Sequence, residues 1–258
     1  MNSTRLFSIA KNTFREAVRD RVLYNLVLFV LLLTACAILL GDLTDGQEAR
    51  TTVNIGLNAM LLFGAFISVF VGVGLVSKEI ERRTVFAMFA KPVSRSEFVI
   101  GKYLGLCLTL AVNVAVMGVG VTLALAYVGG SQLARSVWGS IFLIFLELTI
   151  VTAVALLFSS FSSPALSALL TFFVFIIGHL SSSLRDLAVS LGSKSAIYFF
   201  KTIYYLLPNL SHFSFRTEAA NGMVPNASMV AGGVAYALVY AAILLTVTVV
   251  IFARRNFK

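Results

Sequence analysis

The sequence predicts an all-α polytopic membrane protein with six transmembrane helices, and three observations carry that prediction. The 258 residues are 59% hydrophobic and only 12% charged, with a mean hydropathy of +0.95, whereas a soluble chain carries about 25% charged residues. The apolar residues gather into six runs, each of roughly 20 residues or more, which cross a core of ~30 Å at ~1.5 Å per residue. The basic residues collect in the segments at one side of these runs, as the positive-inside rule requires. A helix satisfies its own backbone hydrogen bonds in lipid, and no run shows the alternating pattern of a barrel strand.

The first element is an amphipathic helix over 1–21. Leu6, Ile9, Ala10, Phe14, Ala17 and Val18 recur at helical spacing, with Arg5, Lys11, Arg15, Glu16 and Arg19 on the other side, so it lies along the cytoplasmic interface. Two roles fit it equally: a surface anchor, or a connecting helix that also touches a cytoplasmic partner. The six spans follow at 22–40, 57–76, 98–128, 137–158, 165–183 and 229–252. The basic lead is too long, and the first run too close to spanning length, for a cleavable signal peptide. Leu33-Thr34-Ala35-Cys36 looks like a lipoprotein cleavage box, but Ala37 to Leu40 stay apolar where such a box turns polar. The third span exceeds what a crossing needs, so its first turns around Lys102 are expected to emerge into the cytoplasm.

Orientation comes from the charges. The N-terminal stretch, the segment 78–102 and the tail with Arg254, Arg255 and Lys258 are basic, whereas the 42–56 loop sets Asp42, Asp45 and Glu48 against Arg50. Both termini are therefore cytoplasmic. The net charge of +9 reads as topology plus attraction to anionic membrane lipid. Nucleic acid is excluded as a partner because no soluble basic domain exists to hold it.

Between the second and third spans, residues 78–97 form a basic amphipathic island. Glu79, Glu81, Arg82 and Arg83 make a charged turn, Val85, Phe86 and Phe89 an apolar stripe, and Pro92 breaks the helix. Ser94 and Glu97 have the spacing of a capping box for the next helix. Charge counting alone favours a plain loop that obeys the positive-inside rule.

Glu147 stands near the middle of the fourth span, where an ionisable group costs a few kcal/mol and seldom faces lipid. It contacts a polar substrate or carries a proton in one reading, and staples helices as a protonated or hydrogen-bonded carboxyl in the other. No lysine or arginine sits at comparable depth to pair with it. The extracytoplasmic segment 184–228 is rich in aromatic residues, with breaks at Pro208 and Pro225. It is expected to form short helices dipping into the outer leaflet. Phe200, Tyr204, Tyr205 and Pro208 belong either to an outer gate over the pathway or to an aromatic belt bracing the last spans. The pairs Gly101/Gly105 and Ala111/Ala115 permit close helix approach. Two cysteines and two dispersed histidines imply neither a disulfide framework nor a metal site, and no hydrolase motif or Walker phosphate loop occurs.

The run Glu81-Arg82-Arg83-Thr84, then Ala90-Lys91-Pro92-Val93-Ser94-Arg95-Ser96-Glu97-Phe98 and Gly101-Lys102, resembles the segment after the second span of ABC-2 type transporter permeases. The likeness is greatest to the branch that includes the permease of the nitrous-oxide-reductase maturation system. It extends to the layout and to Tyr204-Tyr205-Leu206-Leu207-Pro208-Asn209. Arg83 departs from it, since many relatives carry a small residue before the threonine. The resemblance implies a permease of a bacterial or archaeal cytoplasmic membrane, exporting as a dimer of two copies above two separate ABC ATPases, with room for an extracytoplasmic accessory protein. It further implies that Glu79, Glu81, Arg82, Arg83, Thr84, Phe86, Lys91, Pro92, Ser94 and Arg95 make the ATPase contact. The chain itself then needs no cofactor, and ATP and Mg are bound by the ATPase. Two other classes stay open: a proton-coupled secondary transporter that uses Glu147, and a non-transporting membrane scaffold.

Overall fold

A computed structural model describes residues 3–17, 28–29, 32, 46–81, 94–180, 198, 202, 204 and 207–254, with backbone alone for 75–81. The described elements are all helical. They are α1 (Ser3–Ala17), α2 (Glu48–Glu81), α3 (Arg95–Tyr127), α4 (Ala134–Ser159), α5 (Pro164–His179), α6 (Arg216–Ala220) and α7 (Ala227–Arg254), with 3-10 turns at Ser131–Leu133 and Leu210–Phe213. By length and composition, four helices can cross a membrane: Glu48–Gly74, Arg95–Tyr127, Ser131–Ser159 and Ala227–Arg254. The apolar helix Pro164–His179 is shorter. The predicted first span, 22–40, lies outside the described residues except at Leu28, Phe29 and Leu32.

α4 is the centre of the bundle. It packs against α2, α3, α5, α6 and α7, and 78% of its most apolar window is buried, against 17% for α7. That contrast separates a core helix from a peripheral one. α2 reaches α4 closely because Gly64 faces the side chain of Leu148 and Gly72 faces Ala155. α7 buries Ala237, Ala241, Thr248 and Phe252 and leaves Leu238, Val239, Ile243, Val247 and Val250 exposed, as expected of a helix with lipid along one side.

α1 lies across the start of α3, burying Thr13 and Ala17 while Phe7 stays exposed. Gly101 and Gly105 make the crossing possible: a Cβ at Gly105 would stand 2.6 Å from the Ala10 carbonyl oxygen, and one at Gly101 2.7 Å from Ile9. The crossing also alters the place of Lys102, which the sequence sets in turns emerging into the cytoplasm. It is 1% exposed, because α1 covers it. Its Nζ lies 3.6 Å from Glu16 and 5.9 Å from the centre of the Phe98 ring, so the charge is held between a carboxylate and an aromatic face.

Candidate functional site

The hairpin of α4 and α5 brings together two polar residues that are remote in sequence. Glu147 lies twelve residues before the end of α4 and His179 fifteen residues after the start of α5. Both therefore stand about 18–22 Å from the turn that joins the helices. Glu147 is fully buried, and its Oε1 is 3.0 Å from Nε2 of His179. The approach falls short of an aligned hydrogen bond, and Oε2 has no partner among the described residues. The other ring nitrogen, Nδ1, is 3.1 Å from the Phe175 carbonyl oxygen, and the ring centroids of Phe175 and His179 are 4.6 Å apart. A carbonyl only accepts, so Nδ1 carries the proton. Sequence reasoning looked to lysine and arginine for a partner and passed over His179, whose signal was its position one hairpin away at matching depth.

Asn113 of α3 shares this level. Gly118 faces Ile141 and Trp138, and Thr109 lines a small cleft with Thr152, so the antiparallel register sets Asn113 beside the turn of α4 that holds Glu147. It is 3% exposed and its Oδ1 has no hydrogen-bond partner among the described residues. Arg216 of α6 is the other charged group bearing on His179. Its Nη1 is buried without an acceptor among the described residues.

Residues 208–226 close this level from the predicted outer side. A Cβ at Gly178 would lie 2.8 Å from both the Pro208 carbonyl oxygen and Leu210, so the chain enters beside His179. Leu210 and Phe213 are fully buried. Asn209 organises the entry: its backbone N–H donates to the Tyr236 hydroxyl at 2.9 Å, its Oδ1 accepts from Ser211, and its Nδ2 approaches the Tyr204 hydroxyl at 3.4 Å. The chain then climbs until Ser136 donates to the Ala219 carbonyl at 2.9 Å and Gly139 abuts Pro225. From the level of Glu147 to that of Ser136 is about 16 Å along α4. The buried side chains of this stretch, Leu210, Phe213 and Phe215, hold it against the bundle, while His212, Ser214 and residues 221–224 remain exposed. Of the four expected gate residues, Tyr204 and Pro208 belong to this insert, whereas Phe200 and Tyr205 lie outside the described residues.

At the opposite end, Ser94 caps α3 with a full capping box: its hydroxyl accepts from Glu97 N at 3.2 Å and the Glu97 carboxylate accepts from Ser94 N at 3.1 Å. Arg95 donates to the Phe252 and Ala253 carbonyls, the latter at 2.9 Å, so a cation closes the negative end of α7. Phe98 stacks on Phe252 at 5.7 Å. Glu79 and Glu81 fall in the last turn of α2, where only backbone is described. Arg82, Arg83, Thr84, Phe86, Lys91 and Pro92 lie outside the described residues.

The amino-acid sequence of this helical bundle matches a family model. The model described as ABC-2 family transporter protein covers residues 7–257. The chain belongs to the ABC-2 transporter family. Comparison with curated proteins gives no match. As an ABC-2 family member the chain is a membrane permease of an ABC transporter. Permeases of the ABC-2 family lack an ATPase site of their own and work with ABC ATPase subunits. Among the described residues of this ABC-2 protein, Glu147, His179, Asn113 and Arg216 each carry a buried polar side-chain atom without a hydrogen-bond partner, and no three His, Cys, Asp or Glu side chains gather as metal ligands.

Proposed function

We propose that this permease is half of an ATP-driven exporter in a bacterial or archaeal cytoplasmic membrane, working as a dimer with two separate ATPases. Both termini are cytoplasmic, and the island 78–97 is the coupling segment that enters the ATPase surface. The likeness of 81–84 and 90–98 to the nitrous-oxide-reductase maturation branch supports a relationship at that finer level. Export is the direction in keeping with that likeness, and the outer segment leaves room for an accessory protein.

The observation that carries the reading is the Arg95 clamp. The island begins on the long helix α2 and ends on a capped α3 whose first residue, Arg95, grips the Phe252 and Ala253 carbonyls of α7. Movement of the island is thereby passed to α3 and α7 together, and through Gly101 and Gly105 to α1. Such joint motion is what rigid-body rocking between inward and outward openings requires. Closure of the ATPases on ATP and Mg supplies the force.

The test is gentle extraction of the tagged chain from its native membrane, beside a form carrying Arg82→Glu and Arg83→Glu. A phosphate-loop ATPase in equal amount, lost on charge reversal, is the expected result. A chain that comes out with no ATPase sinks the coupling assignment and turns attention to proton-driven transport through Glu147. If the ATPase survives reversal, the contact lies elsewhere than Arg82 and Arg83.

A further inference from the structure

We propose that Glu147 and His179 form one buried proton-binding site, holding a single exchangeable proton between a carboxyl of α4 and an imidazole of α5. The inference is independent of transport direction and of the ATPase. Nδ1 of His179 is committed to the Phe175 carbonyl, so a neutral ring presents a bare lone pair at Nε2. Oε1 of Glu147 stands 3.0 Å from that atom, on a side chain with no exposure. A carboxylate there has lost its water with no aligned donor among the described residues in exchange, a costly state for a buried charge. One proton removes it. The proton rests either on Nε2, giving an imidazolium beside a carboxylate, or on Oε1, giving an acid that donates to a neutral ring. Both forms are neutral as a pair. Loss of that proton leaves one net negative charge inside the bundle.

The surroundings offer little else to balance such a charge. α2 from Val53 to Gly74 and α3 from Leu108 to Leu125 contain no titratable residue. The described elements packed against the pair contribute Tyr103 from α3, whose hydroxyl reaches the Thr149 carbonyl at 3.4 Å, Arg216 and the exposed Glu218 from α6, Tyr236 and Tyr240 from α7, His212 from the insert and Tyr204 beside it. Arg216 is the one cation among these described groups; it bears on His179, and its buried Nη1 has no acceptor among the described residues. The insert packs beside the pair at Gly178 through Pro208 and Leu210, while the His179 side chain keeps 21% of its surface exposed, so exchange with water runs through the imidazole and not through the buried carboxyl.

The chain has two histidines, which makes the site open to a direct reading. In full-length protein labelled with 15N-histidine, held in lipid nanodiscs and carrying His212→Gln, the ring signals are those of His179. The expected result is a ring protonated at Nδ1 throughout, whose Nε2 signal shifts in one step as pH is raised, with the step abolished by Glu147→Gln. A ring that shows no step, takes the same step without the carboxylate, or carries its neutral proton on Nε2 overturns the proposal. Should Glu147→Gln not yield a monodisperse protein, Glu147→Asp serves: the step must move, and an unmoved step likewise overturns it.

Discussion

At the scale of single residues, Glu147 separates charge from shape. Truncation by Glu147→Ala strips the imidazole of its partner and leaves a hole in the most buried helix, so thermal unfolding in lipid should show a loss of about 3–5 kcal/mol. Glu147→Gln keeps the volume and a polar contact and should cost far less; equal losses for the two would show that charge is what the fold requires there. Gly105 tests packing alone. A methyl group there meets the backbone oxygen of Ala10 at 2.6 Å, an atom that cannot rotate away, so Gly105→Ala should destabilise by about 1–3 kcal/mol and raise protease cleavage within α1. Unchanged cleavage would mean that α1 does not depend on that approach.

At the scale of elements, the Ser94 and Arg95 start of α3 has two separable parts. Ser94→Ala removes the cap and should cost about 1 kcal/mol, read as earlier unfolding. Arg95→Ala leaves the cap and releases α7, so hydrogen exchange should rise in the last turn of α7 and not in α3; a rise in both would refute the clamp as drawn. This capping box was legible in the sequence, because a Ser-x-x-Glu spacing is local chemistry. So was the amphipathic stripe of α1, and so were the apolar runs that became α2, α3, α4 and α7. The His179 partner of Glu147 was not, since it depends on the length of a hairpin that returns two remote residues to one depth. The burial of Lys102 was equally hidden. Charge counting sees a cation near a membrane edge, but only the crossing at Gly101 and Gly105 reveals the helix laid over it. The aromatic segment announced an outer element at Pro208 without revealing that Leu210 and Phe213 enter the core, because composition cannot distinguish a belt from an inserted wedge.

At the scale of the whole molecule, the chain is a hub helix surrounded by others, with polar groups inside and lipid-compatible side chains outside. Its predicted sidedness has a plain test in a form lacking Cys36 and Cys107. A cysteine at Asn221, in the exposed turn after α6, should react with an impermeant thiol reagent on intact cells, and one at Phe7, 70% exposed on α1, only after the cells are opened. The reverse pattern would invert the charge-based orientation. The insert at 208–226 bears on how such a molecule comes to exist. A chain made from its N-terminus presents these residues before α7 has been synthesised, yet their resting place is partly built by Tyr236 and Gly233 of that helix. Insertion into the membrane therefore cannot be the end of assembly. Until that helix is made, the Asn209 N–H lacks the Tyr236 hydroxyl and Phe213 lacks the surface at Gly233, so the insert finds its complete seat only when the last helix has arrived.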